Sequence, residues 1–431
     1  MSYFIQQVTN LSAEINGVAL DTASPPNIYC VGDYLDPTGR YVYAFVIKYD
    51  ATGAIVWQRG LASSPTWDNS SIVAGSSISV DAGGDAYVSA HDRENKVAVI
   101  VKYNSSGVIQ WQRSLASPDH NKNICSTMDS SANVYVAGVN SSATGEGFVA
   151  KYNSSGVIQW QVFLTSLTYG IQVNAVDTDA SGNVYVAGSL PNASGSSGYY
   201  AGLIKLNSSG AVQWVRSMAA ATPAFQTAWY GVAADSLGNV CVAGAIPSGN
   251  LAAKYDTTGA IQWQQLVALP NRYDYANAVT TDSSDNVVVA GYTYPNTDSG
   301  SIVKYNSAGV MQWQTQSIGA QFSGVADDSA GTIYLVGIEE LNGGPYGMGL
   351  LLTVADTGAT VRTDTAGSGI VNYGAASMTN STGTGVDASA TVTATAGTLV
   401  DSPGALVDSG GGAECGAGYI AIPFNGVVML L

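Results

Sequence analysis

Basic side chains are scarce in this chain. Its 431 residues carry 15 Lys+Arg against 31 Asp+Glu, a formal net charge of -16 at pH 7, and only 11% are charged at all. Such a surface repels phosphate backbones and anionic lipid, which argues against nucleic acid and membranes as partners. No apolar run of about 18 residues occurs, so no segment reads as a transmembrane helix. The N-terminus MSYFIQQVTNLSAEING has neither a basic start nor an apolar core, and does not read as a secretory signal. Histidine is nearly missing, with only His91 and His120 present. Without a G-x-S-x-G or H-E-x-x-H motif, a His-based catalytic set has little to draw on, and no catalytic residue, metal ligand or cofactor is expected. The four cysteines (Cys30, Cys125, Cys241, Cys415) lack framework spacing and read as buried free thiols. Sustained helical periodicity is also absent.

What is present is repetition. VIVKYNSSGVIQWQRSL around Trp111 returns as FVAKYNSSGVIQWQVFL around Trp160, with further copies at Trp57, Trp214, Trp263 and Trp313. A worn seventh copy, LLTVADTGATVRT, has Arg362 in the tryptophan's place. The steps from Trp57 to Arg362 are 54, 49, 54, 49, 50 and 49 residues, a period that marks a repeat architecture. Each unit offers four short β segments, here strands a to d. In the fourth unit they are VNAVDTD, NVYVAG, YAGLIKLN and AVQWVRS. The segments are rich in β-branched and aromatic residues and bounded by Gly, Asn, Asp and Ser. Four strands repeated seven times predict an all-β fold, a seven-bladed β-propeller of four-stranded antiparallel blades, over residues 1–363.

The c–d turns read NSSG, NSAG, DTTG or DATG, in which Asn or Asp bonds the following backbone and Gly supplies a positive φ. A direct hairpin register would set Val149 opposite Trp160 and Lys151 opposite Ile158, with the lysine stem lying diagonally over the indole. The six tryptophans are expected to be largely buried. The N-terminal stretch from Phe4 to Leu11 resembles the segment from Val108 to Leu115, so residues 4–8 are expected to supply the outer strand of the seventh blade and clasp the ring.

These residues resemble the SBBP-type β-propeller repeat, with its D-x-x-G-N-x-Y-V-x-G stretch followed by a lysine and then N-x-x-G-x-x-x-W. Asp179, Gly182, Asn183, Tyr185, Val186, Gly188, Lys205, Asn207, Gly210 and Trp214 match that pattern. The resemblance covers about residues 12 to 362 and implies the propeller architecture. It also implies a bacterial or phage surface protein, without naming an activity.

Function is expected where the copies differ. The a–b and c–d turns are short and uniform, whereas the d–a and b–c connections vary in length. On that side lie non-repeated aromatics, of which Tyr34, Trp67, Tyr199, Tyr200, Trp229, Tyr230, Tyr273, Tyr292 and Tyr294 are the candidate ligand-binding set, with Tyr275 nearby in sequence. Aromatic faces backed by Asp33, Asp92 and Arg93 suit sugar rings, which stack through C–H faces and need polar partners for their hydroxyls. Residues 364–431 contain no Lys or Arg and end in the apolar YIAIPFNGVVMLL, which reads as a small C-terminal β segment for anchoring or docking. The expectation is a non-enzymatic virion protein, a phage tail or fibre adhesin. Its partners would be a host-surface glycan or receptor and other virion proteins, with homo-oligomers forming through the C-terminal segment. A bacterial extracellular or surface propeller is the alternative, and a glycosidase built on loop carboxylates is a third reading.

Overall fold

The computed structural model describes residues 6–8, 13–35, 42–62, 73–93, 96–116, 121–140, 146–165, 170–191, 199–219, 227–246, 249–268, 273–294, 299–318, 320–340 and 347–355. It also describes the backbone of short strands between 373 and 429. The fold is all-β: seven four-stranded antiparallel blades arranged as a propeller. Strand a of each blade packs on strand a of the next, and that of blade 7 (Ala320–Asp327) packs on that of blade 1 (Ala13–Leu20), so the ring closes. Strand b is the most buried element, and the core fills the spaces between blades. At the closing seam, Ile15, Tyr34 and Phe45 of blade 1 pack with Tyr334, Val336 and Leu351 of blade 7.

The turns behave as their composition dictates. Asn153 Oδ1 accepts the amides of Ser155 (3.1 Å) and Val157 (2.9 Å), and Gly156 ends the turn at φ 73°. Asp179 does the same in the a–b turn, accepting the amides of Ser181 and Asn183, both at 2.9 Å.

The direct hairpin register does not hold. One extra residue on strand d, Gln159 in blade 3, forms a bulge, so Tyr152 pairs with Ile158 but Lys151 pairs with Trp160. The same shift follows the lysine in blades 1 to 6. The lysine thus stands directly opposite the tryptophan of strand d, and in blades 1 to 4 its amine lies over the tyrosine that faces it on strand b. The amines of Lys48, Lys102 and Lys151 stand 4.8 Å over Tyr29, Tyr87 and Tyr135.

The tryptophans reach across to the following blade. Trp111 Nε1 donates to Ser154 O in the c–d turn of blade 3 (3.0 Å), and Arg113 Nε donates to Gly156 O in that turn (2.7 Å). Trp57, Trp160, Trp214 and Trp263 make the equivalent bond at 3.0 to 3.1 Å. Trp57 and Trp263 are buried, and Trp111, Trp160, Trp214 and Trp313 keep most of their surface covered, so the indoles are largely buried as expected.

Both chain ends complete the ring. The strand Gln6–Val8 pairs antiparallel with Gly349–Leu351 and is the outer strand of blade 7, the clasp expected from the sequence. The segment Thr360–Thr363 lies outside the described residues. Beyond it the chain runs back around the ring as a belt. Tyr373–Ala375 pairs with strand d of blade 6, Thr379–Thr382 with blade 5 and Val386–Ser389 with blade 4. Thr393–Ala396, Val400–Pro403 and Val407–Asp408 pair with blades 3, 2 and 1. Each adds a fifth strand at the C-terminal half of its host strand. Among the described residues the hairpin Ile422–Phe424 with Val427–Met429 pairs only with itself.

Candidate functional site

A bulge interrupts the a–b ladder in all seven blades. In blades 1, 4, 5, 6 and 7 it brings a strand a carbonyl hard against the Cα of the glycine opposite. A Cβ at Gly188 would overlap the carbonyl oxygen of Gln172, which explains the glycine that closes the repeated NVYVAG. One rung beyond the bulge, toward the d–a and b–c connections, repetition stops. The seven pairs there are Glu14 with Asp33, Ala74 with His91, Lys122 with Val139, Gln172 with Ser189, Ala228 with Ala245, Tyr275 with Tyr292, and Gln321 with Ile338. The scaffold is satisfied below this rung, so the pairs are free to differ.

Aromatic chemistry concentrates at blades 5 and 6. Tyr275 stacks on Tyr292 (centroids 5.1 Å, 20°), and Tyr230 of blade 5 meets Tyr275 at 6.2 Å. Tyr230 occupies the bulge position that Asn16, Asn174 and Asn277 hold in blades 1, 4 and 6 and that Ser76 and Ser323 hold in blades 2 and 7. Asn174 and Asn277 use it to bond Trp229 O and Phe322 O of the following blade. The neighbouring rung of blade 5 pairs two small residues, Ala228 with Ala245. Burial, then the neighbouring Tyr275, pushes the Tyr230 hydroxyl above its ordinary pKa.

Blade 1 carries the acidic rung. Asp33 accepts from Asn16 Nδ2 (2.6 Å), and Asn16 also donates to Gly75 O of blade 2 (2.8 Å). Glu14 accepts from Ser323 of blade 7 (3.1 Å). Burial and then the charge of Glu14 raise Asp33 to a pKa of about 6, against the opposing pull of Asn16 and Arg93. Burial likewise raises Glu14. One of the two carboxyls is therefore poised to hold a proton near neutrality.

The sequence-chosen residues divide. Tyr230 and Tyr292 come together through Tyr275. Tyr273 pairs with Tyr294 two residues farther along the same ladder, their side chains lying outside the described set. Tyr199 and Tyr200 are half-buried at the start of strand c in blade 4. Two candidates sit in the core instead: Tyr34 is 6% exposed and packs on Tyr43 at 5.5 Å, and Trp229 is 1% exposed among Tyr185, Leu251 and Met218. Their rings offer no open face. Trp67 lies outside the described residues. Glu14 was not singled out from sequence, because its partner across the ladder depends on the bulge.

No protein-family model matches the chain, and no curated protein matches it. Solved propeller-containing structures do. Hydrazine synthase of Kuenenia stuttgartiensis is similar at 11% identity and a TM-score of 0.50, over 76% of this chain and 93% of that one. An ulvan lyase bound to a GlcA–Rha saccharide is similar at 10% identity and a TM-score of 0.50, over 81% and 96%. At these identities the likeness concerns the fold.

Proposed function

We propose that this protein is a non-enzymatic recognition propeller, an adhesin of a virion or cell surface. It binds a glycan at the non-repeating rung, with the Tyr230–Tyr275–Tyr292 cluster as the stacking platform. The observation supporting this reading is that three contacting aromatics, absent from the other blades, gather where the scaffold pattern ends. Tyrosine faces take the apolar side of a pyranose, while Gln321 and the Glu14–Asp33 rung on the following two blades supply hydroxyl partners. The test is glycan-array and cell-adsorption binding by Tyr275→Ala/Tyr292→Ala, with thermal stability followed in parallel. Binding should fall at least tenfold while the melting temperature moves by only a few degrees. Unchanged binding would remove the reading.

The raised pKa of Asp33 beside Glu14 favours a second reading, a glycosidase with one protonated and one ionised carboxyl. Release of reducing ends from a bound glycan, abolished in Asp33→Asn, would distinguish it.

A further inference from the structure

Among the described residues the belt leaves one blade, blade 7, uncovered. Its strands begin at residues 379, 386, 393, 400 and 407, a seven-residue period, while their host strands recur at about 50 residues. Apolar residues recur at the same period in Val371, Met378, Val392, Leu399 and Leu406, and LVDS occurs at both 399 and 406. Each heptad thus gives one strand plus the link to the adjacent blade. The belt descends from blade 6 to blade 1, and Asp408 is its last described paired residue. The next blade in the same direction is blade 7. Its outer strand Gln6–Val8 is paired on one side only among the described residues, and it is three residues long. An edge so short and half-paired is weakly held, and an open edge is a template for another strand.

We propose that the C-terminal hairpin, Ile422–Phe424 with Val427–Met429, docks on the free edge of Gln6–Val8 in the same chain and so completes the belt over blade 7. Reach is sufficient. Seven residues carry the belt from one blade to the next, and residues 409–421 separate Asp408 from the hairpin. Composition fits as well. The polar heptads stop after six copies, matching the six blades that own their outer strand, and the chain then turns apolar at YIAIPFNGVVMLL. A tethered strand adds to an edge at millimolar effective concentration, which favours the same chain over a second copy.

Hydrogen exchange of the peptide spanning residues 1–12, measured by mass spectrometry on the full chain, tests this. The outward amides of Gln6–Val8 should be protected at every protein concentration in a monomer. Deleting residues 419–431, or making the milder Val427→Pro change, should lower that protection at least tenfold while leaving exchange in strand b of blade 3 unchanged. Protection that appears only as dimers form would place a second copy on the edge and overturn the proposal. Equal exchange with and without the hairpin would overturn it too.

Discussion

The c–d turn glycine offers a sharp test of how the blades hold one another. Gly156 and Gly182 have nearly the same backbone, φ 73° and 74°. A Cβ at Gly182 would meet nothing nearer than Ser208 Cβ at 3.5 Å, whereas one at Gly156 would stand 2.7 Å from Trp111 Cδ2. Alanine at Gly182 therefore bears only the left-handed backbone penalty, about 1–2 kcal/mol. Alanine at Gly156 bears that and also displaces the indole. The displacement weakens the Trp111 Nε1–Ser154 O and Arg113 Nε–Gly156 O bonds, each worth about 1 kcal/mol. The expected total is about 3–4 kcal/mol. Urea denaturation followed by far-UV circular dichroism measures both variants. A cycle with Trp111→Ala isolates the shared contact, because the alanine then meets no ring and the double variant should lose at least about 1 kcal/mol less than the sum. Equal destabilisation by the two glycine variants, or strict additivity in the cycle, would refute an inter-blade role for the turn.

Three other outcomes follow from the geometry. The folded pKa of Asp33 lies above its unfolded value, so its contribution to stability is fully present below about pH 4 and is lost as pH rises toward 6. Asp33→Asn should therefore stabilise by about 1–3 kcal/mol at pH 7.5 and be near neutral at pH 4 in chemical denaturation, and a gain confined to low pH would contradict this. In blade 5 Cys241 replaces the strand b tyrosine, and Lys254 bonds the buried Asp235 directly at 2.8 Å; Lys254→Met should cost about 3–5 kcal/mol in the same assay. Lys151→Met should cost clearly less, because Asp129 keeps the Tyr135 hydroxyl at 3.0 Å and its lysine is 3.7 Å away. Deleting residues 1–10 removes the outer strand of blade 7 and should lower the melting temperature by many degrees in calorimetry while promoting self-association in light scattering.

Much of this molecule is local chemistry, and local chemistry is legible in sequence. The Asx turns at Asp179 and Asn153, the β-branched strands, the 50-residue period and the kinship of residues 4–8 with a strand d depend on neighbours along the chain or on simple self-comparison. They were enough for the blade count and the N-terminal clasp. Other features needed the assembled ring. The register slip at Gln159 sets the strand c lysine directly opposite the tryptophan instead of diagonal to it, and no composition rule signals a one-residue bulge. The partner of Trp111 lies 43 residues ahead, in another blade's turn. Asp177 joins three blades, accepting from Thr127 Oγ1 on one side and the Ala234 amide on the other. Tyr34 and Trp229 read as surface aromatics because their segments flank variable loops, yet packing between blades encloses them. The variable rung, with its tyrosine cluster and its acidic pair, exists only once strands a and b are paired across the bulge. The belt is the extreme case. Its strands of two to four residues are too short to form a sheet alone, and they become strands because the ring first presents six open edges to pair with.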